Sequence, residues 1–299
     1  MTESDTGQNS AKAVPPPNLI IYHGNCPDGF TAAWVTQQAV HGASELYAAK
    51  YGDEPPYELA RNRSVYVVDF SYPRAQLEQL FGECTFLMVL DHHKTAEAEL
   101  RGLPYCVFDM DRSGAGLAWD TLMVDQPRPW IVNYVEDRDL WRFALPDSRT
   151  ISLRVRLTPH EVEAYDALAA MDPAEIVNEG RGAKLYLDHY VRDAMRNVYE
   201  LADVDGEGTD AACVNVSYTG VSDVLHDALE MGSTLLAIAW HLHPDGHLAC
   251  SVRSVPSYDC SAFAKRLGGG GHAQASGFRI PVAHELAKRL LGGGCSYEL

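Results

Sequence analysis

The sequence predicts an α/β protein: an N-terminal, mostly parallel sheet with helices on both faces, a helical connector, and a smaller C-terminal α/β domain. Three observations predict it. Short apolar runs alternate with helical patterns from residue 18 to about 123. Such unbroken apolar strands are buried on both faces, which is the habit of parallel sheets. From about 151 to 200 the pattern is helical throughout. After the acidic, glycine-rich stretch DVDGEGTDAA at 203–212, strand patterns return. A length of 299 residues agrees with about two domains.

Taken in order, NLIIYHG (18–24) is a buried strand, FTAAWVTQQAV (30–40) a helix, and SELYAAKY (44–51) a second strand. SVYVVDFS (64–71) is β-branched and apolar, hence a strand. PRAQLEQLF (73–81) carries proline near its start and apolar residues three to four apart, hence a helix. TFLMVLDHH (85–93) is a strand, TAEAEL (95–100) a short helix, and YCVFDM (105–110) a strand. SGAGLAWDTLM (113–123) is a helix with Ser113 as its N-cap. PWIVNYVEDRDLW (129–141) begins helical and turns polar. In the last third, ACVNVSY (212–218), STLLAIAWHLH (233–243) and HLACSVRS (247–254) are strands, with HPDG (243–246) as a turn. CSAFAKRL (260–267) is a helix leading into GGGGH. The divisions are 1–17, a disordered leader; 18–150, a core; 151–205, the helical connector and linker; and 206–299, the C-terminal unit.

Composition narrows the functional classes. Twenty-four Lys and Arg against 41 Asp and Glu give a net charge of −17. A long nucleic-acid duplex would be repelled on average, whereas a small phosphorylated substrate is compatible where a bound cation reverses the local field. No apolar run approaches the ~18 residues of a membrane span, and the leader MTESDTGQNSAKAVPPP lacks the regions of a signal peptide. A cytoplasmic location without membrane partners is expected. The seven cysteines are scattered with no CxxC, which argues against a disulfide framework or zinc ribbon.

Three predicted strands end in residues that bind metals. LIIYHGNCPDG places His23 at a strand end and Asp28 in the following loop; VYVVDFS ends at Asp69; FLMVLDHH ends at Asp91, His92 and His93. Ligands bind open parallel sheets beyond the carboxyl ends of the strands, where strand order reverses. Asp137 or Asp139 of YVEDRDLW could join from the helical layer. A lone acid at a strand end is usually a turn residue, but three such ends in order are not coincidence. Close carboxylates repel, and a divalent cation relieves that repulsion. Mixed carboxylate and imidazole donors suit manganese, with magnesium or iron as alternatives. Two metals about 3.5–4 Å apart would clamp a phosphoryl displacement and activate a water. On an extended strand, adjacent His92 and His93 would point opposite ways.

The ordered set HGNCPDGFTAAW, VVDFS, LDHHK and YVEDRDLW resembles the four motifs of the DHH phosphoesterase family. RSVPSYDCSAFAKRLGGGGHAQASGF resembles the DHH-associated C-terminal domain, and the likeness runs from about 18 to 282. The resemblance implies a catalytic domain over the core and a substrate-binding domain at 206–299. It implies His23, Asp28, Asp69, His92 and Asp137 as ligands of two manganese ions, with Asp69 bridging. Asp137 is preferred to Asp139 because the family's fourth-motif acid lies a few residues before an aromatic. Asp91 would ligate or orient a histidine, and His93 would face the scissile phosphate. Many members carry two acids in the first motif; Cys26 stands in the place of the earlier one, as a softer ligand or a packing residue. Arg253, Ser254 and His272, with Gly269, Gly270 and Gly271 as a backbone nest, point to phosphate capture, and Ser113 is assigned to the same set.

The resulting expectation is manganese-dependent hydrolysis of very short oligonucleotides or linear dinucleotides such as pApA to 5′-mononucleotides, a nanoRNase-type exonuclease activity. 3′-Phosphoadenosine 5′-phosphate is a further expected substrate. The alternatives are an exopolyphosphatase or pyrophosphatase activity at the same centre, and a non-catalytic nucleotide-binding regulator. A homodimer is left open.

Overall fold

A computed structural model of the chain describes residues 17–292. The predicted leader therefore lies almost wholly outside the described residues, as does the end of the GGG run at 292–294. The N-terminal half contains β1 (Asn18–His23), α1 (Pro27–Ala39), β2 (Ser44–Ala49), α2 (Tyr57–Ala60), β3 (Ser64–Val68) and α3 (Arg74–Glu83). It continues with β4 (Phe86–Asp91), α4 (Lys94–Leu100), β5 (Cys106–Phe108), α5 (Gly114–Leu122) and α6 (Trp130–Asp139). The five strands are parallel, in the order β2-β1-β3-β4-β5.

Alternation along β1 divides the core in two. Ile20 and Tyr22 face a layer that includes Phe30 and Trp34 of α1, Ala115 and Trp119 of α5 and Ile131 of α6. Leu19 and Ile21 face the other side, with Leu77 and Leu80 of α3 and Leu100 of α4. Both faces are thus covered, and the central strands β1, β3 and β4 read as nearly continuous apolar runs. The chain progresses in opposite directions across the sheet on either side of β1, so the β1–β3 boundary is a topological switch point. His23 ends β1 there and Asp69 follows β3.

The connector holds α7 (Ser148–Arg156), α8 (Val162–Ala169) and the 23-residue α9 (Pro173–Met195). Asp172 caps α9 by accepting from the Ala174 amide. Then come β6 (Tyr199–Leu201), β7 (Ala211–Asn215), α10 (Val221–Glu230), β8 (Leu236–Leu242), β9 (His247–Ser254), α11 (Cys260–Arg266), β10 (Gly270–His272), β11 (Ala275–Pro281) and α12 (Glu285–Leu290). This second sheet is mixed, in the order β10-β11-β9-β8-β7-β6, with β7 and β8 its parallel pair.

Two differences from the sequence reading concern function. The glycine run is built as an edge strand: Gly269 donates its amide to the Ala264 carbonyl, Gly268 to that of Lys265, and Gly270–His272 pairs with β11. A Cβ on Gly269 would lie 2.0 Å from the Gly277 carbonyl, so glycine there serves close strand approach instead of a closed anion nest. The segment between β7 and β8 contains α10, whose Val221, Val224, Leu225 and Ala228 are buried at helical spacing. Among the described residues no helix is long and apolar enough to cross a membrane.

Candidate metal centre and cleft

The C-terminal ends of β1, β3 and β4 meet on the floor of a cleft of about 1480 Å³ that both halves of the chain line. Asp69 is central. It sits just past β3 with φ +53°, a left-handed conformation uncommon outside glycine but favoured by Asp and Asn among the rest. Its amide donates to Leu90 on β4, which fixes it against the neighbouring strand. Its carboxylate lies 3.4 Å from His23 Nδ1 through one oxygen and 3.0 Å from His92 Nε2 through the other.

His92 Nε2 is the point where acids converge. Besides Asp69 it lies 3.7 Å from Asp28 and 3.6 Å from Asp139. A proton on that nitrogen can serve one carboxylate well, whereas a divalent cation in this space could be shared by several donors. The Oδ2 oxygen of Asp69 and Nδ1 of His92 are buried without a hydrogen-bond partner, which costs free energy unless a ligand or ion compensates. Three sets of donors come within ligand range: Asp28–Asp69–His92, His23–Asp69–His93 and His92–His93–His272. Oxygen and imidazole donors without thiolate fit a hard or borderline divalent ion.

The electrostatics agree. Burial, then the charges of Asp69 and Asp139, push the Asp28 carboxyl well above its ordinary value. Asp139 is also raised, by burial and by Asp69 against the pull of His92. Burial raises Asp69, but the hydrogen bond to His92 and the nearness of both His23 and His92 outweigh it and hold the carboxyl well below the ordinary range. Three acids compete for two imidazoles, which is the imbalance a cation removes.

Asp91 plays a different part. Its side chain is fully buried; Oδ2 accepts from Ser71 Oγ at 2.9 Å, and Oδ1 accepts from His93 Nδ1 at 2.6 Å and the His92 amide at 2.8 Å. It therefore orients His93 and leaves Nε2 as the free ring nitrogen. Strand alternation does not separate the two histidines, because β4 ends at Asp91; their ring centroids are 4.9 Å apart. His272 from β10 stacks on His93 at 4.5 Å and 17°. Burial, followed by the charges of His93 and His92, lowers its pKa to about 3, so it is a neutral ring.

Several sequence assignments change. Asp137 does not join the cluster: its Oδ1 accepts from the Ala144 amide at 2.9 Å, and its Oδ2 from Ser148 Oγ at 2.5 Å and the Leu145 amide at 3.3 Å. It ties down the chain after α6, and Asp139 is the acid of that motif that reaches His92. Ser113 is fully buried and caps α5 by accepting from the Gly116 amide, so it is closed to substrate. Ser254 is buried and donates to the Tyr258 carbonyl at 2.6 Å, which spends its hydroxyl on the turn before α11. Cys26 lies at the start of α1 and lines the cleft beside the acids. Burial, then Asp69, Asp139 and Asp28, push its thiol well up, and the three donor sets form without it. Asp28 has a second duty, accepting from the Gly114 and Ala115 amides at 2.6 and 3.0 Å, at the positive N-terminus of α5.

Glycine makes this packing feasible. A Cβ on Gly114 would lie 2.4 Å from the Asp69 Cβ, and one on Gly29 would lie 2.4 Å from the His23 carbonyl. Gly114→Ala is expected to displace Asp69 and lower turnover by about 10²-fold, the usual consequence of misplacing a catalytic group by an ångström. Gly182→Ala on α9, where nothing lies within 4 Å, should leave turnover unchanged. Steady-state kinetics with circular dichroism on both variants checks this pair.

The far wall of the cleft is cationic although the chain carries −17. Arg138 and Arg149 both reach Asp223 of α10, at 3.6 and 3.4 Å. Arg253 donates to the Val252 carbonyl and to Ser222 Oγ, both at 2.8 Å, which leaves three of its five N–H groups available. Trp141, the aromatic of the fourth motif, and Phe143 pack under Arg138 and Arg149, with guanidinium-to-ring distances of 4.1 and 3.8 Å. Lys94 and Asp259 join the two halves at 2.7 Å.

No family model matches the chain. A curated relative, the uncharacterized protein R106 of Acanthamoeba polyphaga mimivirus, is 25% identical over 304 residues, 92% of this chain and 70% of that one. Among solved structures, RecJ of Thermus thermophilus in complex with Mn2+ has a TM-score of 0.55 and 17% identity, covering 92% of this chain and 51% of RecJ. The pGpG-specific phosphodiesterase PggH of Vibrio cholerae has a TM-score of 0.53 and 12% identity over 92% and 96% of the chains. A DHH domain described as a member of the s1p family of ribosomal proteins has a TM-score of 0.52 and 13% identity over 93% and 86%. The chain has the fold of the DHH proteins.

Proposed function

We propose that this chain is a divalent-metal-dependent phosphodiesterase that hydrolyses very short oligonucleotides or linear dinucleotides to 5′-mononucleotides, with manganese as its working ion. The observation that carries this reading is the convergence of Asp28, Asp69 and Asp139 on His92 Nε2, on the floor of a cleft whose other wall is lined with arginine. RecJ with Mn2+ and the pGpG phosphodiesterase, which share the fold, support it.

His23, Asp28, Asp69, His92 and Asp139 would hold the metal ions, and His272 stands close enough to His92 to join the set. Bound divalent ions supply Lewis acidity toward a phosphate oxygen and an activated water. The remaining work falls to the chain itself. Asp91 fixes the His93 ring so that Nε2 faces the substrate; with the ring doubly protonated it can donate to a non-bridging oxygen or to the departing 3′-oxygen. Arg253 offers its free N–H groups to a phosphate. Asp28, anchored by the α5 amides, keeps its position whether or not an ion is bound. With attack on phosphorus and departure of the 3′-oxygen, the phosphate stays on the 5′ side.

Substrate length follows from shape and charge. The cleft is larger than the ~300–1,000 Å³ of ordinary small-ligand pockets and set in an acidic chain. These features favour a substrate of a few nucleotides over a long strand. 3′-Phosphoadenosine 5′-phosphate is included among the candidates.

A substrate panel with Mn2+ tests the proposal: linear dinucleotides, longer RNA and DNA, 3′-phosphoadenosine 5′-phosphate, cyclic dinucleotides and polyphosphate. The highest kcat/KM is expected for linear dinucleotides. Turnover of polyphosphate alone would replace the reading with an exopolyphosphatase, and binding of nucleotides without turnover of any member would replace it with a regulator.

A further inference from the structure

Two tyrosine rings stand in the cleft with most of their surface unburied: Tyr51 is 57% exposed and Tyr218 60%. An exposed tyrosine on an outer surface needs no explanation. These two line the cleft whose floor carries the metal-type cluster, and they come from opposite halves of the chain. Tyr51 follows β2, where the chain turns through Gly52 at φ +96°. Its ring is backed by Phe70 at 4.9 Å and set edge-on to His23 at 5.3 Å and His93 at 5.9 Å. Tyr218 lies between β7 and α10. Its side chain lines the cleft, and the Arg156 guanidinium lies 5.8 Å from its ring centroid. Arg156 has no ion-pair partner among the described residues.

We propose that Tyr51 and Tyr218 are the two jaws of a nucleobase clamp beside the scissile phosphate. The inference rests on the phosphodiesterase reading and specifies what the substrate must carry: a planar base on a nucleotide flanking the bond to be cut. Three features support this ligand class. Phe70 packs on Tyr51 and the Arg156 guanidinium lies beside Tyr218, so stacking costs little side-chain ordering. Both rings line the same cleft. Stacking on an aromatic face is tolerant of base identity, which suits a substrate defined by length more than by sequence. A polyphosphate chain would gain nothing from either ring.

The test uses the full-length protein in two arms. In the first, the metal-free protein is titrated with AMP and with ribose 5-phosphate, which share sugar and phosphate and differ by the base. Wild type should bind AMP at least about tenfold more tightly, the scale on which one base–aromatic stack contributes. Tyr51→Ala and Tyr218→Ala should each erase most of that difference, while Tyr51→Phe and Tyr218→Phe keep it. Equal affinity of wild type for the two ligands would overturn the clamp. In the second arm, pApA turnover with Mn2+ should show KM raised about tenfold or more in the alanine variants with kcat within about threefold. Unchanged KM in both alanine variants, with pApA still cleaved, overturns the clamp and leaves the phosphodiesterase reading standing. Wild-type turnover of tripolyphosphate but not of pApA overturns both. Because the rings are exposed, their removal leaves the core intact, and unaltered circular dichroism confirms that the variants are folded.

Discussion

Asp69→Asn is expected to lower kcat/KM for a linear dinucleotide by at least about 10³-fold, with the fold retained. The carboxylate touches His23 and His92 through different oxygens, so it is the acid placed to serve two ions. Losing its charge removes several kcal/mol of metal-mediated stabilisation, and each ~1.4 kcal/mol is a factor of ten in rate. Asparagine is the informative replacement. It keeps the shape and tolerates the left-handed backbone at φ +53°, where alanine would add strain to the loss of charge. Manganese stoichiometry measured beside the kinetics should fall by at least one ion per chain. Retention of both ions and of turnover would remove Asp69 from the centre.

The second large effect separates two acids only two positions apart. Asp139→Ala should lower turnover by about 10²-fold or more while leaving thermal stability near wild type, because this side chain points into the cleft and forms no described hydrogen bond. Asp137→Ala should do the reverse. Its loss strands the Ala144 and Leu145 amides and Ser148 Oγ, at about 2–4 kcal/mol in all. In a chain of this size that is a fall of roughly 3–6 °C in Tm. Turnover by the folded fraction should stay within about threefold. Differential scanning calorimetry and initial rates on the same preparations distinguish the two roles.

That pair also shows where the sequence was readable. Strand ends were: an apolar run stopping in Asp or His fixes both the strand and the rim, so His23, Asp69 and His92 could be placed before any coordinates. The phase of α6 was not. Residues two apart on a helix differ by about 200°, so Asp137 and Asp139 face opposite ways, and only the packing of α6 against the chain at 144–148 decides which way is inward. The counter-signal was Ser148, a hydroxyl able to hold an acid across a short loop, but nothing local links it to Asp137.

The glycine run misled for a related reason. GGGGH has the composition of a loop, yet β10 pairs with β11, where Ser276, Phe278 and Ile280 are buried in strict alternation. That period of two was present in ASGFRIP and passed unread. The α10 helix was equally visible in VSDVLHDALE, through its apolar residues at i, i+3, i+4 and i+7. The stacking of Trp141 and Phe143 carries no local signal. Their left-handed backbones, at φ +55° and +48°, and their place beneath Arg138 and Arg149 are set by the path of the chain between α6 and α7, which no periodic pattern announces.

The central claim is that acids and imidazoles at the β1, β3 and β4 strand ends hold metal ions for phosphodiester cleavage. It is tested most directly by stripping the protein with a chelator and titrating Mn2+ back while following pApA. The account predicts no turnover without metal, recovery that saturates near two equivalents per chain, and AMP as the only product. Full turnover in excess chelator, or a product bearing a 3′-phosphate, would contradict it.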